Sequence, residues 1–183
     1  MKRDDAFEKT KITKASTNKV VTNVYFDAFG IEKVRFQNAN YNDKTSIDCY
    51  LDFEEVALIA ADVASGRLIK ELEAGPKSIS IGGTKSSKNY NGNPESRILS
   101  FGKSGDKIFI NMSRGKGKIT ETGAIAPDGA PDLKIGVSMP IDKFRSMFIY
   151  TNNFVNAYLA HLANKLVKEA EAARAQATNN KNS

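Results

Sequence analysis

Ser46-Ile47-Asp48-Cys49-Tyr50-Leu51-Asp52-Phe53-Glu54-Glu55-Val56 changes its hydrophobic period within one residue. Up to Leu51 the apolar residues Ile47, Cys49 and Leu51 alternate with polar ones, so they share one face of a β-strand. Asp52 and Glu55 then form the Asp-x-x-Glu start of a helix, where a carboxylate accepts from the free amides of the first turn. Val56, Ile59, Ala60 and Val63 follow as one apolar stripe. Gly66 is expected to break this helix, Leu68, Ile69 and Leu72 to continue it, and Gly75-Pro76 to stop it.

The same transition recurs late in the chain. Val137, Met139, Ile141 and Phe144 repeat the pattern of Cys49, Leu51, Phe53 and Val56, with Pro140-Ile141-Asp142 opening a long helix capped by Asp142. Phe144, Phe148, Thr151, Val155, Tyr158, Leu162 and Leu166 then keep a helical spacing. Alternating segments precede each transition. In the first half they cover residues 19–26, 33–36 and 46–51, with 10–15 as a further edge strand and turns at Gly30 and the polar cluster 38–44. In the second they cover 78–81, 97–101 and 107–112, the last two flanking a turn at 102–106, and 133–139 after a Gly/Pro/Ala-rich loop at 122–132.

The fold class that results is α+β, two units of antiparallel strands each followed by a helix. A single domain spans 16–167, made of pseudo-repeats at about 16–75 and 76–167 that match in pattern rather than in sequence. Residues 1–15 form an N-terminal arm. Residues 168–183 form a polar tail, helix-forming through Arg174 and expected to be disordered from Gln176. It is not an acidic, hydrophobic-tipped recruitment tail.

The composition, 40% hydrophobic in 183 residues, is that of a soluble globular domain, and no apolar run reaches membrane-spanning length. The charged start Met1-Lys2-Arg3-Asp4-Asp5-Ala6 leads into no signal-peptide core, so cytoplasmic residence is expected, with a bacterium, phage or mobile element as the setting. The single cysteine, Cys49, falls on the core face of its strand and reads as a small buried residue. His161 has no cysteine or carboxylate at ligand spacing, so neither zinc nor Cys/His catalysis is supported. Asp128 and Asp132 flank a Pro-Gly loop and could meet a cation, without EF-hand spacing. Gly82-Gly83-Thr84-Lys85 lacks the Gly-x-x-x-x-Gly-Lys order of a P-loop. No enzyme constellation and no cofactor emerge.

The charge does carry information. Between residues 76 and 118 stand Lys77, Lys85, Lys88, Arg97, Lys103, Lys107, Arg114, Lys116 and Lys118, opposed by Glu95 and Asp106 alone, whereas the whole chain nets +6. A localised cationic field suits a polyanion, because each neutralised phosphate releases condensed counterions. A solvated surface with no partner would show the same composition. Alternation places Phe101 with Arg97, and Phe109 with Lys107, on shared strand faces, which with Tyr90 supplies aromatics for base stacking. The competing arrangement buries both phenylalanines and exposes Ile98, Ile108 and Ile110. Ser113-Arg114-Gly115-Lys116-Gly117-Lys118 reads either as a phosphate-tracking loop or as a lysine-decorated turn.

Paired strand-then-helix units, a basic strand surface and the lack of an enzyme motif together resemble the whirly and PC4-like single-stranded DNA-binding proteins. The resemblance covers most of 19–167 and rests on layout. Plant whirly proteins carry Lys-Gly-Lys-Ala-Ala-Leu on an early strand, whereas Lys116-Gly117-Lys118 here runs into Ile119-Thr120-Glu121 late in the chain, so that element is not transferred. The resemblance implies two packed antiparallel sheets with helices between or across them. It also implies a homo-oligomer that binds single strands with little sequence preference. An OB-like barrel with added helices is the alternative architecture. The expected partner is single-stranded DNA, or RNA, bound without catalysis. The alternative is a structural or assembly protein whose basic hairpins meet an acidic protein.

The C-terminal helix has a surplus of its own. Phe148, Ile149, Tyr150, Phe154, Tyr158 and Leu159 spread over more than one face, which calls for burial between sheets or against another subunit.

Overall fold

The alternating segments before Asp52 pair in chain order. In the computed structural model, which describes residues 10–17, 19–27, 33–75, 77–79 and 92–181, β1 (Lys11–Ser16), β2 (Val20–Asp27), β3 (Lys33–Asn40) and β4 (Thr45–Leu51) form an antiparallel meander. The edge strand read at 10–15 is therefore present. The polar cluster at 38–44 is only half a turn: Asn38, Ala39 and Asn40 continue β3, and the chain reverses at 41–44 with Lys44 at φ +52°. Asn38 stays in the strand because its amide has partners inside the protein, as described below.

At Asp52 the expected switch occurs. α1 (Phe53–Ala64) begins with a capping box in which the Asp52 amide N–H donates to Glu55 Oε2 at 2.8 Å. Its buried residues are Val56, Ile59, Ala60 and Val63, the stripe read from the sequence. Gly66, at φ +77°, turns the chain into α2 (Arg67–Ala74), which buries Leu68 and Leu72.

The second sheet runs β5 (Lys77–Ile79), β6 (Glu95–Ser104), β7 (Lys107–Ile119), with β8 (Ile125–Pro127) and β9 (Leu133–Pro140) following one another along the far edge of β7. Part of the stretch read as a loop at 122–132 is thus paired backbone. Ile119 pairs with Ile125 and Gly117 with Pro127, then the chain makes an excursion and rejoins β7 where Arg114 meets Leu133. Two glycines permit this. A Cβ on Gly117 would sit 2.6 Å from Ile125 Cγ2, and one on Gly115 would sit 2.9 Å from Pro131 Cα.

α3 (Ile141–Lys181) follows β9 directly, with Asp142 in its first turn rather than at the cap. It is helical to Lys181, so the polar tail continues the helix; the Ala- and Glu-rich run at 169–175 has strong helix propensity, and the helix carries on through the weaker formers Thr178, Asn179 and Asn180. Phe144, Met147, Phe148, Thr151 and Val155 are buried. Phe148 bridges the sheets, stacking on Phe36 of β3 at 5.3 Å and meeting Phe101 of β6 edge-on at 5.6 Å. One core therefore joins both sheets and all three helices. Asn38 ties them a second time, donating from Nδ2 to the carbonyls of Ile110 and Ile135, both at 2.9 Å, while Oδ1 accepts from Thr22 Oγ1 at 2.6 Å. Cys49 lies in this core, where burial pushes its thiol up to about 12. Among the described residues no helix is long and apolar enough to cross a membrane.

Candidate nucleic-acid interface

A two-residue turn decides which side chains the second sheet presents. Gly105, at φ +59°, and Asp106 connect Ser104 to its partner Lys107. Leu99 is then opposite Met112 and Phe101 opposite Ile110, all on the face that meets α3. Phe101 is 1% exposed and packs against Phe144 and Phe148. It cannot stack on a base, which corrects the sequence expectation. The competing arrangement fails too, since Ile108 and Ile110 are buried and Phe109 faces out. A five-residue turn at 102–106 would have put both phenylalanines on one face; the shorter turn separates them.

Three rungs span the middle of the outward face, next to the rung of Ser104, Lys107 and Pro140. Gly102, Phe109 and Ser138 form the first; Ser100, Asn111 and Gly136 the second; Ile98, Ser113 and Lys134 the third. Phe109 is half-buried and flanked across both ladders by Gly102 and Ser138, residues with little or no side chain, which leaves part of its ring accessible. Lys107 precedes it on the same face and is exposed, as expected from the alternation. A shallow groove of about 390 Å³ runs over the other two rungs, lined by Ile98, Ser100, Asn111, Ser113, Lys134 and Gly136. A Cβ on Gly136 would sit 2.5 Å from Asn111 Oδ1, so the glycine makes the space in which that amide lies.

The remaining cations do not converge on Phe109. Arg97 has the inward parity; it pairs with Glu95 and donates from Nη1 to the Asp48 carbonyl at 2.9 Å, tying β6 to β4. Lys103 pairs with Glu73 of α2 at 3.1 Å. Arg114, Lys116 and Lys118 lie on a strand, which corrects both readings of 113–118 as a loop or turn. Alternation puts the three on one face, about 6.8 Å apart, opposite in parity to Phe109. The intervening glycines serve close packing by 125–132, as shown above. Lys116 meets Asp128 at 2.8 Å, and the hydrogen bond and charge of Lys116, with a smaller contribution from Lys118, hold the Asp128 carboxyl below its ordinary value.

Lys77 has its backbone in β5, opposite Phe101, and its side chain lies outside the description; Lys85, Lys88 and Tyr90 lie outside the described residues altogether. Lys134 joins the face without a local signal, since it falls beyond the basic window and arrives through β9. Asn111 shares the face of Lys107 and Phe109 by alternation alone, and strand pairing gives it Ser100 and Gly136 as neighbours. Among the described residues no group of histidine, cysteine and carboxylates could hold a metal ion. The sequence matches no protein-family model and no curated protein.

Proposed function

We propose that this protein binds single-stranded nucleic acid, single-stranded DNA in the first place, without catalysis and with little sequence preference. The observation that carries the proposal is the outward face of the second sheet. It combines one accessible aromatic, a floor of serine and glycine that lets a strand lie close, an amide at Asn111, and lysines at both ends. A base stacks on Phe109, contributing roughly 1–3 kcal/mol. Lys107 and Lys134 neutralise phosphates, and the row Arg114, Lys116, Lys118 extends the cationic field around β7. With a single described stacking residue, most of the affinity is electrostatic, so it falls steeply with salt.

Two separate antiparallel sheets, each leading into a helix, support a whirly-like arrangement over an OB-like barrel, which closes one sheet on itself. The rival reading gives the cations an acidic protein as partner. Fluorescence anisotropy with a labelled single-stranded oligonucleotide, competed by duplex, heparin and polyglutamate, separates the two. Preference for the single strand, weakened by Phe109→Ala, supports the proposal. Equal competition by all polyanions, with Phe109→Ala without effect, overturns stacking and favours the acidic partner.

A further inference from the structure

α3 is much longer than the body it packs on. Its 41 residues extend for about 60 Å, yet up to Arg174 its last fully buried side chain is Val155. From Leu159 to Arg174 every residue is exposed except the half-buried Leu162. That projecting segment still carries a stripe. Leu159, Leu162, Leu166, Ala170 and Ala173 recur on one side, with Leu159 41% and Leu166 57% exposed, and Ala163 and Val167 border it. A lone helix in water is marginal, and an apolar stripe in heptad-like spacing is stabilised by packing into another helix.

We propose that the projecting half of α3 pairs with the same segment of a second copy of this chain, antiparallel, about a two-fold axis near Val167. Three features meet in that one register. The large end of the stripe faces the small end, Leu162 against Ala173 and Leu166 against Ala170 of the second copy, so bulky side chains fill the space that alanines leave. Lys165 and Glu169, which pair within one helix at 3.8 Å, lie on the same flank of the stripe. In the antiparallel arrangement each Lys165 faces the other copy's Glu169. On the opposite flank Ala163 meets Ala170, and the helices approach closely. A parallel pairing fits worse, because it sets Leu162 and Leu166 each against its own copy and leaves Ala170 and Ala173 facing alanine. The inference is independent of what the sheet binds.

Sedimentation velocity of the full chain up to about 100 µM tests it. The expected result is a dimer that Leu159→Lys with Leu166→Lys converts to monomer, with an unchanged circular dichroism spectrum in the dilute state, since both positions are exposed. Orientation is read by oxidation. A chain carrying both Leu162→Cys and Ala173→Cys links into covalent dimers, while Leu162→Cys alone does not; buried Cys49 does not compete. A wild-type monomer at the highest concentration overturns the proposal. So does a dimer that survives the double lysine substitution, or one that Leu162→Cys alone cross-links.

Discussion

Asn38→Ala removes a fully buried side chain that hydrogen-bonds both sheets from within the core. Asn38 is 0% exposed, and its amide serves one donor, Thr22 Oγ1, and two acceptors, the carbonyls of Ile110 and Ile135. Alanine leaves all three without this partner, in a site closed to water. A buried polar group stripped of its partner costs about 1–3 kcal/mol. The carbonyls each keep a second lone pair for ladder bonds, which places them at the low end, while the missing side-chain volume adds a cavity. The sum is roughly 3–5 kcal/mol, a large share of the 5–15 kcal/mol typical of a domain. Urea titration followed by circular dichroism measures it, with Thr22→Val as the comparison. That variant removes a single donor and is expected to cost about 1–2 kcal/mol. A loss below about 1 kcal/mol for Asn38→Ala, or equal losses for the two variants, would falsify the view that Asn38 bridges the sheets through its two amide bonds.

The two phenylalanines should separate stability from binding. Phe101→Ala is expected to cost about 3–5 kcal/mol in urea titration, whereas Phe109→Ala leaves the midpoint nearly in place and weakens oligonucleotide binding about tenfold. Asp128→Asn frees Lys116, so affinity for a single strand should rise and the plot of log affinity against log salt should steepen by about one phosphate equivalent. An unchanged slope would mean that Lys116 takes no part. Cys49 gives a pH signature. Folded, it keeps its proton up to about 12, while the unfolded thiol, whose ordinary value is 9.0, loses it earlier. The unfolded state therefore binds fewer protons in that window, and stability falls as pH rises from about 9 towards 12, by up to about 1.4 kcal/mol per pH unit from this group. Cys49→Ala should flatten that limb of the curve.

What the sequence discloses and what it conceals divide along physical lines. Asp52, Glu55 and the stripe from Val56 to Val63 are local: a cap and a period suffice to place them, and the helix follows. Asp142, two residues past the cap position it was expected to fill, shows the usual imprecision of a helix end. The side of the sheet on which Phe101 lies is not local. It depends on whether the hairpin turns at 102–106 or at Gly105-Asp106 alone, and every residue of β6 changes face with the answer. The same holds for the charges. Their clustering along the chain is plain, but Glu73, Asp128 and the Asp48 carbonyl, which occupy Lys103, Lys116 and Arg97, come from elsewhere in the fold. The glycines of 113–118 look like loop residues because nothing local announces that Pro131 and Ile125 need the space.

Phe148 stacks on a ring from the first sheet and meets one from the second edge-on, and it stands on the element that leaves the ribosome after both sheets. During synthesis the inner faces of β3 and β6 must therefore wait, apolar and unsealed, until the first turns of α3 emerge. The structure's long-range pairings make a slow closing step of this kind expected. Until that moment the nascent chain is at its most vulnerable to misassociation through Phe36 and Phe101. The first turns of α3, from Phe144 to Val155, then join two half-finished sheets in one core.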